Sequence, residues 1–119
     1  MMESQTNETS YVERQCLDAD RFQVSVGSLR INGGEFPYSF LRIRPGVCIL
    51  PVIGEGAHAR TVLVRQFRPA TGSMQVELPA GAIDPGEQPS RTAVRELAEE
   101  TGYTARELVD LGPFHPSPG

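Results

Sequence analysis

The 119-residue sequence predicts an α/β (α+β) domain. Short strands form a sheet, one amphipathic helix lies near the C-terminal end, and a small antiparallel β section comes first. Three observations carry this prediction. Between Phe22 and Phe67, apolar residues fall in alternating or short continuous runs of strand length. Clusters of Gly, Asn and Pro punctuate those runs as turns do. From Glu87 onward the apolar spacing changes to the helical period.

Taken in order, Met1 to Ser10 is polar and has no apolar stretch of the kind that makes a secretory signal, and residues 1–20 are expected to be a flexible tail. Residues 21–45 form the N-terminal β section, with Phe22–Val26, Leu29–Ile31 and Phe40–Arg44 as strands and Asn32-Gly33-Gly34 as a turn. Residues 46–119 form the main domain. Val47–Ile53 is almost wholly apolar and reads as a central strand. Thr61–Phe67 follows it, across a hairpin loop at Gly54–His58. The helix begins after Glu87 with Pro89 and Ser90 at its first positions, and Gly102 stops it as a C′ glycine. Past Leu108–Leu111 the run Pro113–Gly119 has nothing left to pack, the ending of a cut chain, so the domain is expected to be incomplete at its C-terminus. Cys48, Phe67, Met74 and Leu78 are expected in the core, and His58 on an exposed loop tip.

The net charge of −4 disfavours a nucleic-acid partner, because no basic surface dominates. All eleven basic residues are Arg; Arg suits phosphate, but a compositional bias is the better explanation. Cys16 and Cys48 have no metal-ligand spacing, and a reducing compartment, the cytoplasm, is expected. No run approaches 18 apolar residues, so no membrane span is expected.

The helix carries the chemistry. At about 100° per residue, Val94, Leu97, Ala98 and Thr101 share one side and Glu96, Glu99 and Glu100 the other. Like charges so close repel and lie at the unfavourable end of the helix dipole. A solvated acidic face is the ordinary explanation, but converging carboxylates are also what hard divalent cations require. The surroundings favour the second. Gly81 is followed after five residues by Glu87, after seven more by Arg95, and then by Glu96-Leu97-Ala98-Glu99-Glu100-Thr101-Gly102-Tyr103. The turn Asp84-Pro85-Gly86 would fold Leu78-Pro79-Ala80-Gly81 back beside the helix.

This pattern resembles the Nudix box, with all seven fixed residues matched and Tyr103 standing where a bulky aliphatic residue is usual. The resemblance implies a Nudix-type α/β/α sandwich with a mixed β-sheet. It further implies that Glu96, Glu99 and Glu100, with the Ala80 carbonyl, bind Mg²⁺ or Mn²⁺. Arg95 would orient these carboxylates, while Gly81, Glu87 and Gly102 support the box. Val64-Arg65-Gln66-Phe67-Arg68, Glu77–Asp84 and Ser117-Pro118-Gly119 are similar to the ADP-ribose and sugar-nucleotide pyrophosphatase branch. By that likeness Arg68 holds the diphosphate and Glu77 orients the nucleoside. The N-terminal β section would serve dimerisation, making a homodimer of the complete protein. The implied reaction is hydrolysis of ADP-ribose to AMP and ribose 5-phosphate. A nucleoside triphosphate pyrophosphohydrolase and a non-catalytic nucleotide-binding module are the alternatives. The second draws on the lack of the further glutamate that such enzymes carry downstream.

Overall fold

The computed structural model describes residues 8–117. They fall into two compact units, one reaching Arg44 and including the residues from His115, the other spanning Pro45–Phe114. Ser117 is described, whereas Pro118 and Gly119 of the expected Ser-Pro-Gly segment lie outside the described residues.

The first unit is an antiparallel meander of β1 (Thr9–Ala19), β2 (Phe22–Ile31) and β3 (Gly34–Ile43), in that order. Asn32 and Gly33 connect β2 to β3 with φ of 47° and 80°, the positive pair of a type I′ hairpin turn. The tail expected over residues 1–20 is corrected for Thr9–Ala19, which is a full strand paired along β2. Its polar residues are not solvated at random. Arg14 reaches Glu35 and Glu13 reaches Arg42, both across the sheet. A bulge between Glu13 and Gln15 also interrupts the alternation that would have marked a strand.

On one face the rings of Tyr11, Tyr38 and Phe40 meet with centroids 5.0–6.3 Å apart. Buried Ser25 beside them donates to the Glu13 carboxylate and accepts from the Tyr11 hydroxyl at 2.9 Å. On the other face buried Ser28 donates to Glu35 at 2.6 Å. Ser28 first, then Arg14 and Arg30, hold the Glu35 carboxyl down at about 2.

In the second unit β4 (Gly46–Cys48) pairs antiparallel with β9 (Ala80–Ala82). Backbone bonds from Ile49 to Pro79 (2.9 Å) and from Ile83 to Pro45 (3.0 Å) extend that ladder at both ends. Two hairpins lie between them in sequence. β5 (Val52–Ile53) pairs with β6 (Arg60–Thr61) around a 3₁₀ turn at Gly56–His58, and β7 (Val64–Arg68) pairs with β8 (Ser73–Glu77). The helix α1 (Pro89–Thr101) lies against β4 and β9. Leu97 and Ile49 form the buried apolar centre, with Thr92 and Pro79 fully enclosed. Of the helix face expected to be apolar, Leu97 is buried, Thr101 half-buried, and Val94 and Ala98 exposed. Strands with one helix packed on them, preceded by an antiparallel β section, give the expected α/β (α+β) class.

Several expectations of continuity and burial are corrected. Val47–Ile53 is not one central strand: it divides into β4 and β5 around Leu50 and Pro51, since proline has no N–H to give a ladder. Thr61–Phe67 likewise divides at Val62-Leu63. Cys48, Phe67 and Met74 are exposed, not core. Phe67 and Met74 are cross-strand partners in a hairpin whose strands pair only with each other among the described residues. Leu78 is half-buried, and His58 is exposed on its turn as expected. From Tyr103 to Ser117 there is no helix or strand. Among the described residues no helix is long and apolar enough to cross a membrane.

Candidate active site

The site grows from one turn. Gly86 has φ 80° and the Glu87 N–H bonds the Asp84 carbonyl at 2.9 Å, a type II turn with Pro85 at its first corner. The turn delivers Glu87 to the foot of α1, where the N-cap residue Gln88 makes no side-chain cap. Glu87 supplies the missing anchorage by accepting from Thr92 Oγ1 at 2.8 Å and from the Asp84 N–H at 3.4 Å. It also receives Arg95 through Nε at 3.2 Å and Nη2 at 3.0 Å. Arg95 first and Thr92 second hold its carboxyl down at about 2, against the opposing effect of burial.

Arg95 is the hub of the constellation. Its Nη1 donates to Glu96 at 2.7 Å and to Glu99 at 3.4 Å, and its Nη2 reaches the Ala82 carbonyl at 3.3 Å. Asp84 stands 3.7 Å away. Glu87 and then Glu96 push the guanidinium further above its already high range, so one fixed cation ties the turn, the end of β9 and the acidic face of α1.

The helix approaches β9 so closely that Glu96, where it stands, leaves room for no side chain at Gly81. A Cβ on Gly81 would lie 1.9 Å from Glu96 Cδ. One helical turn later Glu100 accepts from the Ala80 N–H at 3.1 Å through one oxygen and from Gln66 Nε2 at 3.2 Å through the other. Neighbouring residues of one strand thus seat two carboxylates of one helix. Ala80 meets Glu100 through its amide. Gly102 closes α1 in the left-handed region at φ 76°, its N–H bonded to Ala98.

Among the described residues no three His, Cys, Asp or Glu side chains are gathered as a metal cage. Arg95 holds Glu96 and Glu99, whereas Gln66 and the Ala80 amide hold Glu100. The donors are nonetheless three hard carboxylates within about a turn of helix, the chemistry that Mg²⁺ or Mn²⁺ takes. The residues present fit such an ion in kind.

Arg68 and Glu77 are brought together with each other, bidentate at 2.8 and 2.5 Å across the β7–β8 hairpin. The pair raises the Arg68 guanidinium and lowers the Glu77 carboxyl. An open groove of about 410 Å³ runs beside Glu100, lined by Val62–Gln66 and Thr101. Gln66 and Asp84, which the sequence offers only as parts of a strand motif and a turn, join the constellation, as does Thr92, which it does not mark. Gln66 shares the period-2 face of Arg68, and Thr92 stands five residues after Glu87, signals available beforehand.

A strand, a tight turn and a helix bearing Arg-ordered carboxylates define a strand–loop–helix platform. The NUDIX domain profile matches residues 42–119, and the chain belongs to this family. It is 47% identical over 76 residues to an ADP-ribose pyrophosphatase of Bacillus subtilis, a match covering 63% of this chain and 40% of that protein. It is 47% identical over 68 residues to an ADP-sugar pyrophosphatase of Mus musculus, covering 56% and 31%. A crystal structure of an ADP compounds hydrolase superposes with a TM-score of 0.58 at 28% identity, covering 84% of this chain and 51% of that one. The chain thus spans about half or less of the length of these relatives.

Proposed function

We propose that the protein containing this chain hydrolyses a nucleoside diphosphate sugar, ADP-ribose first among them, to AMP and ribose 5-phosphate with Mg²⁺ or Mn²⁺. The observation that carries the reading is the Arg95 hub, which bonds Glu99 and holds Glu96 over Gly81 while Glu100 is seated on Ala80. The names of the relatives supply the substrate class. Glu96, Glu99 and Glu100 would hold the ion, with Ala80 at its edge and Arg95 orienting the acids. Such an ion, when bound, acidifies water and offsets charge on the diphosphate. Gly81, Glu87 and Gly102 maintain the geometry. Arg68 exchanges Glu77 for phosphate oxygens, and Glu77 so released turns to the nucleoside. The complete protein acts in the cytoplasm as a homodimer joined through residues 21–45, on a small molecule and on neither nucleic acid nor membrane.

The test is AMP release from ADP-ribose by this chain with Mg²⁺, with EDTA, and with Glu100→Gln. Release that depends on the ion and is abolished by the substitution is expected. Release that survives EDTA and Glu100→Gln refutes the assignment, and faster turnover of a nucleoside triphosphate favours the triphosphate reading.

A further inference from the structure

Among the described residues, Glu100 is the acid of the platform that is held from outside the loop and helix. Its Oε1 accepts from Gln66 Nε2, a half-buried side chain on β7, while its Oε2 accepts from the Ala80 N–H. Gln66 lies opposite Gln75 in the β7–β8 ladder. By strand alternation it shares its face with Arg68 and Glu77, whose ion pair spans the same hairpin. Gln66 therefore bonds the acidic face of α1 from the hairpin face that carries the Arg68–Glu77 pair.

The residue type matters. An Arg or Lys here would pair with Glu100 and cancel its charge, and a Glu would repel it. A neutral amide donor fixes one oxygen in direction and leaves the full negative charge for a ligand. We infer that Gln66 is a positioning residue, one that sets the Glu100 carboxylate for a divalent cation and couples the β7–β8 hairpin to the helix. This rests on the proposed role of Glu100 as a metal ligand. Groups behind metal ligands that hydrogen-bond them typically change affinity by about 10–100-fold when removed.

The experiment is calorimetric titration of Mn²⁺ into the chain and into Gln66→Leu, Glu100→Gln, the double variant and Gln75→Leu. The Ala80 amide NMR resonance is followed in each without metal. Gln75 faces Gln66 on the same hairpin, and its side-chain amide, among the described residues, donates to Ser73 and Thr71 rather than to the helix, so its variant controls for loss of a hairpin amide. Gln66→Leu is expected to weaken Mn²⁺ binding roughly tenfold or more and to move the Ala80 resonance. The double variant is expected to bind no worse than Glu100→Gln alone, and Gln75→Leu as wild type. Unchanged affinity in Gln66→Leu, or losses that add in full to those of Glu100→Gln, overturns the inference and leaves Glu100 as a ligand. Wild-type affinity in Glu100→Gln, or no Mn²⁺ binding by the wild-type chain, overturns the metal reading and the inference with it.

Discussion

Gly81→Ala separates the stability of the platform from its chemistry. The new methyl carbon would lie 1.9 Å from Glu96 Cδ and 2.1 and 2.4 Å from the carboxylate oxygens. Unbonded carbons need roughly 3.5 Å. The strand has little room to retreat, because it is laddered to β4 and a Cβ on Gly46 would already be 2.8 Å from the Gly81 carbonyl. Glu96 must withdraw instead, by roughly 1.6 Å if it moves directly away. Its 2.7 Å bond from Arg95 Nη1 does not survive such a shift. Because the moving group is the end of a flexible side chain, the melting temperature is expected to fall by only a few degrees. A misplacement of about 1 Å in a positioned site costs on the order of 100-fold in rate, and Mn²⁺ affinity is expected to drop with it. Thermal melting, Mn²⁺ calorimetry and AMP release on the same preparation decide the matter. Wild-type Mn²⁺ affinity in a folded Gly81→Ala chain would refute the claim that Glu96 needs the space above Gly81.

Other perturbations have distinct signatures. Leu97→Ala removes one of the few buried apolar side chains and is expected to cost about 2–4 kcal/mol; an unchanged urea midpoint would deny its place in the core. Gly102→Ala forces a side chain into the left-handed region at φ 76° and is expected to cost about 1–2 kcal/mol, read by urea denaturation; an unchanged midpoint would deny that the cap needs glycine. For Glu35 and Glu87, held at about 2 against an ordinary 4.5, the folded pKa is the depressed one. Their stabilisation is complete above about 4.5 and is lost as pH falls towards about 2. Glu35→Gln should flatten the loss of stability across that window in stepped-pH urea titrations, and an unaltered slope would count against it.

What was legible in the sequence was local. Asn32-Gly33, Asp84-Pro85-Gly86, Pro89 and Gly102 act through their own backbone preferences, and each sits where those preferences place it. The spacing from Gly81 to Gly102 brought the acids, Arg95 and Glu87 onto one short segment. What was not legible depends on partners far along the chain. β1 has polar residues whose countercharges, Glu35 and Arg42, lie 21 and 29 residues away from Arg14 and Glu13, so its strand character cannot be seen in its own alternation. Cys48, Phe67 and Met74 are apolar, but burial is set by what covers a residue and not by its type. Arg68 and Glu77 find each other only through the register of β7 with β8, and Gln66 finds Glu100 only once the hairpin meets the helix.

The helix has no acidic residue in its first turn and no basic residue in its last, so its carboxylates are gathered at the end where the dipole opposes them. The fold therefore carries an electrostatic load that a counter-ion can lift. By linkage, a ligand that binds only the folded chain stabilises it by about 2.7 kcal/mol at a hundred times its dissociation constant. If the acids take a divalent cation, the melting point becomes a gauge of free metal. The same side chains would then make the persistence of the fold depend on the ionic composition around it.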